Sequence, residues 1–136
     1  GHIFFSHRFY GFDDAVYAAI RLLNVIAHHG GSLTKLRTAL PVLVNTPELR
    51  FDCPDEQKFE VVAEVLKRLH ERGAEFSDID GARVQTPDGW WLLRASNTQA
   101  VLVARAEAQS EEGLKRLKAE LVEILSECGV SAPEGL

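Results

Sequence analysis

The residues best suited to chemistry lie within five positions, in the segment Arg94-Ala95-Ser96-Asn97-Thr98. Arg94 offers a planar fork of N–H donors that matches phosphate or carboxylate oxygens. Ser96 and Thr98 add hydroxyl donors, and Asn97 tolerates positive φ, so that loop amides can turn inward around an anion. This set predicts a phosphate-sized anion site. The alternative is an ordinary hairpin, because any tight turn needs polar residues.

Two predicted strands flank this segment. Residues 90–93 are aromatic and aliphatic, and residues 101–103 are aliphatic and β-branched, which favours strands. The polar segment is then the loop of a hairpin. Trp90 and Trp91 are neighbours in a strand and point to opposite faces, so at most one lies in the core.

Arg105 is a second charged candidate, because an arginine in an otherwise apolar strand needs a partner or access to solvent. It either pairs with Glu107, reaches solvent, or supports the anion site.

The other reactive residue types do not form a recognisable centre. His28 and His29 are adjacent on a predicted helix and point about 100° apart, which disfavours one shared metal ion. No Cys/His cluster has zinc spacing, and Ser96 lacks the Gly-x-Ser-x-Gly context of a nucleophile. Cys53 falls on a predicted core face, which disfavours a reactive thiolate. We therefore expect neither a metal ion nor a catalytic nucleophile in this chain.

The composition is typical of a globular protein. Of 136 residues, 46% are apolar and 26% are charged, and the net charge is −5. An acidic balance argues against general binding to nucleic acid or membranes, so any anion site must be local. We recognise neither a membrane-spanning apolar run nor a signal peptide. Two cysteines without Cys-x-x-Cys spacing are typical of a reducing compartment, and we expect a cytoplasmic location.

Residues 1–43 have the pattern of a partial α/β segment. Residues 3–5 predict a short buried strand. Asp13 or Asp14 is expected to cap a helix that ends near residue 30, and Ser32 a short helix that ends near residue 38. The inward stripe predicted for the first helix comprises Val16, Ile20, Leu23 and Ala27.

Residues 44–136 predict an α+β domain, and Pro41 and Pro47 mark a linker or domain boundary before it. Hairpin-linked strands imply an antiparallel sheet of about four strands, and two amphipathic helices can pack on one face. The first helix is expected to begin at Pro54-Asp55 and the second to be capped by Ser110. Their predicted inward residues are Phe59, Val62, Ala63, Leu66 and Leu69 in the first, and Leu114, Leu117, Leu121 and Leu125 in the second.

The start of the chain carries a further expectation. The sequence contains no methionine and opens on Gly1-His2-Ile3-Phe4-Phe5, a strand-like run without a lead-in. We expect that the chain is a piece of a longer polypeptide, with Gly1-His2 either native or a cloning remnant.

These residues resemble the α-D-phosphohexomutases, in particular the bacterial phosphomannomutase/phosphoglucomutase branch. The segment from Arg94 to Thr98, with the hydrophobic strands around it, resembles the phosphate-binding loop of that family. Gly1-His2 resembles the end of the family's sugar-recognition loop, Gly-Glu-x-Ser-Gly-His, and residues 8–14 resemble the segment after that loop. The proline linker and the turn and strand at residues 80–84 extend the resemblance over nearly the whole chain.

The resemblance implies a fold and a domain division. The family has four domains around a deep cleft. Residues 1–43 would be the C-terminal remnant of the third domain, and residues 44–136 the fourth, whose sheet and helices are similar to the TATA-binding-protein fold. In the family, the fourth domain holds the phosphate of the sugar phosphate and rotates to close the cleft.

The resemblance also implies roles for individual residues. Arg94, Ser96, Asn97 and Thr98 would hold the substrate phosphate, Arg105 would support them, and His2 would face the active site. The catalytic phosphoserine and the aspartates that bind Mg²⁺ would lie in the missing N-terminal domains, so this chain alone would bind no cofactor and catalyse nothing. Its partners would be those domains and a hexose 1-phosphate, hexose 6-phosphate or bisphosphorylated hexose.

Two other classes of function stay open on the residues alone. The chain could be a stand-alone α+β ligand-binding or regulatory module, with residues 94–98 as a plain hairpin turn. It could also be a protein-interaction module whose exposed tryptophan contacts a partner.

Overall fold

The structure, a computed structural model, describes residues 2–132. The chain divides into two compact units between Pro41 and Val42. Within the described residues, no helix combines the length and apolarity needed to cross a membrane.

The first unit contains two helices, α1 (Ala15–His28) and α2 (Leu33–Thr38). The Asp14 carboxylate accepts a hydrogen bond from the Tyr17 N–H at 2.7 Å and so caps α1. The Ser32 hydroxyl accepts one from the Lys35 N–H at 3.3 Å and caps α2. Both helices begin where the capping residues predict, because such side chains satisfy the free N–H groups of a first turn.

The apolar residues of the first unit do not form the predicted interior. Residues 3–5 are not a buried strand: Phe4 makes an isolated bridge to Asp13 and is exposed. No residue of α1 is buried, and Val16 and Leu23 of its predicted inward stripe are 71% and 65% exposed. The amphipathic pattern predicted the helix correctly, but among the described residues of this unit no sheet covers the apolar stripe.

The second unit is an α+β sandwich, which confirms the predicted fold class. Its elements are β1 Val44–Asn45, β2 Leu49–Asp52, α3 Lys58–Glu71, β3 Glu75–Ser77, β4 Ala82–Thr86, β5 Gly89–Ala95, β6 Val101–Ala108 and α4 Glu111–Glu127. The sheet is antiparallel and has the order β1-β6-β5-β4-β3, with β2 also paired to β6, so the described residues form six strands where about four were predicted. The two helices, α3 and α4, pack against this sheet and against each other.

The core lies between one face of the sheet and the two helices. Trp91 is fully buried at its centre, opposite Val84 and Ala106 in the neighbouring strands. Trp90 lies on the other face and is only partly buried, as the alternation of a strand predicts. The four leucines predicted to face inward from α4 are all buried.

Helix α3 differs from its prediction in start and orientation. It begins at Lys58 rather than at Pro54-Asp55, and its buried residues are Lys58, Val62, Val65 and Leu69. Phe59, predicted to face inward, is 58% exposed. The buried positions recur at i, i+4, i+7 and i+11, so they form one continuous stripe that excludes Phe59 and also Ala63, a second predicted inward residue that is exposed. This buried stripe includes a charged residue, Lys58, which the sequence pattern did not predict to face inward.

Candidate anion-binding loop

The candidate loop, residues 96–100, connects β5 and β6 as the predicted hairpin. The last paired residues are Ala95 and Leu102. The Ser96 N–H donates to the Val101 carbonyl at 3.0 Å, and the Val101 N–H donates to the Gln99 carbonyl at 2.9 Å. The loop is therefore short and closed by its own hydrogen bonds.

The side chain of Ser96 stabilises the loop through hydrogen bonds to its backbone. Its side chain is buried, and its Oγ accepts hydrogen bonds from the N–H groups of Thr98 at 3.3 Å and Gln99 at 3.2 Å. A hydroxyl has one donor besides its acceptor lone pairs, so the Ser96 O–H can still donate to a ligand. Asn97 and Thr98 are exposed at the tip.

The expectation that loop amides turn inward around an anion is wrong for Thr98 and Gln99. Their N–H groups point at Ser96 Oγ, and Asn97 does not adopt positive φ, since Arg8 is the only described non-glycine residue that does. An amide nest needs successive N–H groups that point at the anion. Here Ser96 Oγ accepts from two of them, so these two N–H groups are not available to an anion and the side chains are the remaining donors.

Arg94 extends from β5 just before the loop, on the sheet face away from the helices. Its side chain is 39% exposed, and its Nη1 lies 3.7 Å from Oδ2 of the exposed Asp80. Such a long exposed ion pair contributes little energy, so the guanidinium stays accessible to an anion. The turn that carries Asp80 packs closely against this strand, because a Cβ on Gly81 would lie 2.2 Å from the Leu93 carbonyl oxygen.

Arg105 belongs to a group of four arginines on the same sheet face. It pairs with Leu92 and so lies diagonal to Arg94, whose partner is Val103. Strand register adds Arg83 beside Leu92 and Arg50 beside Val103. Carboxylates partly balance these arginines, because Arg50 pairs with Glu48 at 2.7 Å and Glu107 lies on the same face as Arg105. The sequence pattern did not indicate Arg50 and Arg83, because their proximity depends on register.

Two further cations contact the loop at Gln99. Lys58 Nζ donates to the Gln99 carbonyl oxygen at 3.1 Å, and Arg50 Nη1 donates to Gln99 Oε1 at 2.5 Å. Neither side chain was a predicted site residue. The only sequence signal was the lysine at an inward-facing helical position.

His2 lies in the first unit of the chain. Its exposed imidazole Nδ1 bonds to the Asp13 carboxylate. That hydrogen bond lowers the pKa of Asp13 below its ordinary value. The histidine predicted to face an active site is here bonded to a carboxylate of its own unit.

The cysteines and acidic residues form no additional centre within residues 2–132. Burial raises the pKa of the Cys53 thiol, so it remains protonated at neutral pH, as its predicted core position requires. Across the same described residues, no group of three or more histidine, cysteine, aspartate or glutamate side chains could hold a metal ion. The resemblance assigns the Mg²⁺ site to the N-terminal domains of the parent, outside this chain.

Comparison with known proteins gives a consistent family. Residues 48–124, more than half of the chain, match the family model for the phosphoglucomutase/phosphomannomutase C-terminal domain. The chain is 45% identical over 119 residues to a phosphomannomutase/phosphoglucomutase of Pseudomonas putida, and 41% identical over 119 residues to that of Pseudomonas aeruginosa. Each match covers 87% of this chain and 26% of the relative.

A solved structure agrees with these matches. A phosphoglucomutase/phosphomannomutase family protein from Burkholderia thailandensis superposes with a TM-score of 0.80 at 36% identity, covering 98% of this chain and 28% of that protein. This chain thus spans about a quarter of the length of the relatives it matches. By sequence and by fold, the chain belongs to the phosphoglucomutase/phosphomannomutase family and carries its C-terminal domain.

Proposed function

We propose that this chain is the phosphosugar-binding C-terminal part of a phosphohexomutase. That parent enzyme would interconvert hexose 1-phosphate and hexose 6-phosphate. The observation that carries the proposal is the accessible guanidinium of Arg94 beside a closed polar loop. An arginine fork next to hydroxyl and amide side chains offers many donors to a phosphate dianion. The match to the mutase C-terminal domain over residues 48–124 gives this chemistry its context.

Each proposed site residue has a distinct task. Arg94 donates its N–H fork to the phosphate oxygens, and Ser96 donates its O–H while its oxygen keeps the loop closed. Asn97 and Thr98 contribute side-chain donors from the exposed tip. Arg105, diagonal to Arg94 on the same face, adds positive charge. Binding by donor side chains suits a mutase, because the phosphate not being transferred must be held at either end of the hexose.

The rest of the reaction is assigned to the parent. There, a phosphoserine would transfer its phosphoryl group to a hexose phosphate and form a bisphosphorylated hexose. This intermediate would reorient in the cleft and return a phosphoryl group to the serine. The phosphoserine and the Mg²⁺ site would lie outside this chain, as would the glutamate and serine of the sugar loop. His2 would face the substrate in the assembled parent, which we place in the cytoplasm. The chain alone would be inactive.

The division of the chain supports a two-part origin. We assign residues 1–43 to the end of the third domain and residues 44–136 to the fourth. The boundary of the two compact units falls between Pro41 and Val42, two residues before the proposed domain boundary after residue 43. The exposed apolar stripe of α1 is expected of a helix whose sheet belongs to the preceding part of the parent.

An amide titration of the 136-residue chain tests the proposal. Glucose 1-phosphate or mannose 1-phosphate should shift the amide resonances of residues 94–98 with a millimolar Kd, because one wall of a cleft binds weakly. Arg94→Ala should weaken binding at least about tenfold, since a charge-assisted bidentate contact is lost. Arg37→Ala, which removes an exposed arginine from α2, is the charge-matched control.

Two results would count against the site. Loop resonances that stay unmoved at saturating sugar phosphate would favour a stand-alone module with a plain hairpin turn. If Arg94→Ala and Arg37→Ala weakened sugar phosphate binding equally, the binding would depend on the net charge of the chain and not on a site at Arg94. Shifts centred on Trp90 and not on the loop would instead favour a surface for a protein partner.

A further inference from the structure

Lys58 is a buried lysine with its charge directed at the candidate loop. Its side chain is 6% exposed, and its Nζ bonds to Asp55 Oδ1 at 2.6 Å and to the Gln99 carbonyl oxygen at 3.1 Å. Burying an ammonium group is costly unless it is paired and hydrogen-bonded. The contact with Gln99 crosses 41 positions of sequence, so it forms only when the loop and α3 are both in place.

The position of Lys58 at the start of its helix disfavours a positive charge. Lys58 is the first residue of α3, and that helix has no side-chain hydrogen bond at its N-cap. The N-terminal end of a helix carries partial positive charge, which disfavours a cation there. Its partner Asp55 is 65% exposed and would be solvated without it. The ammonium is stabilised by the ion pair with Asp55, by the Phe59 ring, whose centroid lies 5.3 Å from Nζ, and by the bond to the loop. Of these three contacts, only the bond to the loop reaches beyond the start of α3.

Gln99 is the point at which the loop is held from outside. Its carbonyl accepts from Lys58, its side-chain oxygen accepts from Arg50, and its own N–H donates to Ser96 Oγ. Next to it, the Ala100 carbonyl accepts from the Cys53 N–H at 3.1 Å. The inner hydrogen bonds of the loop are therefore continuous with a set of bonds to β2 and α3.

We propose that Lys58 is a positioning residue of the phosphate loop, an inference that rests on the proposed function. Lys58 holds the Gln99 carbonyl, which also accepts from the Val101 N–H, and so restrains the residue whose own N–H donates to Ser96. Ser96 then keeps its O–H oriented for a ligand, and the loop does not need to become ordered on binding. Pre-organisation of this kind strengthens binding by lowering the entropy lost when the complex forms.

The test uses the full 136-residue chain with Lys58→Met, Lys58→Arg and the control Lys115→Met, which removes an exposed lysine of α4. Hydrogen exchange is first measured without ligand. Lys58→Met should speed exchange of the Thr98 and Gln99 amides by about tenfold, the effect of losing one charge-assisted hydrogen bond. Lys58→Arg should restore most of the protection, and Lys115→Met should leave it unchanged.

Glucose 1-phosphate binding is then measured on the same variants. The Kd should rise about fivefold or more in Lys58→Met, as expected when a loop loses pre-organisation, and recover in Lys58→Arg. Unchanged amide protection in Lys58→Met overturns the positioning role. If the wild-type chain fails to bind sugar phosphate while Lys58→Met still loosens the loop, the proposed ligand is wrong and the positioning of the loop by Lys58 holds.

A second substitution keeps the test decisive if Lys58→Met does not fold. Lys58→Gln retains a polar group at the buried position but has neither the charge nor the reach of the lysine. Faster exchange at Thr98 and Gln99 in a folded Lys58→Gln chain supports the proposal. Wild-type protection at both amides overturns it.

Discussion

The Ser96 hydroxyl oxygen accepts a hydrogen bond from the Gln99 N–H at 3.2 Å, across the candidate phosphate loop. The same oxygen accepts from the Thr98 N–H. One buried side chain thus closes the loop while its own O–H stays free to donate. A residue whose type indicates a simple ligand donor is also the main internal support of the loop.

Replacing Ser96 should therefore affect the fold as well as binding. Ser96→Ala leaves two backbone N–H groups without their acceptor, and we expect a loss of about 1–3 kcal/mol in the free energy of unfolding. Urea denaturation measures this loss. Ser126→Ala, at an exposed position of α4, should change stability by no more than about 0.5 kcal/mol. Equal effects of the two substitutions would mean that the Ser96 hydroxyl does not support the loop.

Gly81 should be intolerant of any side chain. Its φ is +83°, and a Cβ there would lie 2.2 Å from the Leu93 carbonyl oxygen, next to Arg94. Gly73 also has positive φ, +65°, but has no atom within 4 Å of the added Cβ. Gly73→Ala should lower the free energy of unfolding by about 1–2 kcal/mol, the strain of a left-handed backbone with a side chain. Gly81→Ala should lower it by about a further 1–3 kcal/mol, because the added Cβ also clashes with the neighbouring strand. Denaturation midpoints of both variants check this, and similar midpoints would contradict it.

Asp88 should contribute a pH-dependent part of the stability. Arg116 donates from Nε to Asp88 Oδ2 at 2.7 Å and from Nη2 to Oδ1 at 2.5 Å, and these bonds lower the pKa of Asp88. Since its pKa is lower in the folded state, the contribution is complete above the unfolded pKa of about 3.9. It is lost as the pH falls through the folded pKa.

Carboxyl resonances followed by NMR test this pair directly. Arg116→Met should raise the titration midpoint of Asp88 toward its ordinary value. Asp13, whose pKa is lowered by His2 in the other unit, should titrate as in the wild type and serves as the internal control. A midpoint of Asp88 that does not move would show that Arg116 is not the cause of the shift.

Hydrogen exchange should differ between the first and last helices. Helix α1 has no buried residue, whereas α4 buries six, including Leu117 and Leu121. Amides protected mainly by local structure open more easily than those under a packed core, so α1 should exchange at least about tenfold faster. Mass spectrometry of quenched samples measures both helices together. Equal protection would contradict the assignment of α1 to an incomplete domain.

The sequence by itself determined the features that depend on near neighbours. Asp14, Ser32 and Ser110 cap helices, since each accepts a hydrogen bond from an N–H three residues later. The leucine stripe of α4 and the opposite orientation of Trp90 and Trp91 follow from the periods of helices and strands. The hairpin and the α+β class were predictable for the same reason, although the loop spans residues 96–100 rather than 94–98, because Arg94 and Ala95 continue β5.

Only the tertiary structure decided which distant residues meet at the loop. Lys58 and Arg50 are 41 and 49 positions from Gln99, and no local period relates them. The arginine face depends on the register of four strands, and a shift of one residue would turn each side chain to the other face. The sequence thus determined a polar loop with Arg94 and Arg105 as its candidate cations. Folding added Arg50 and the buried Lys58 at Gln99, and placed Arg83 on the same sheet face.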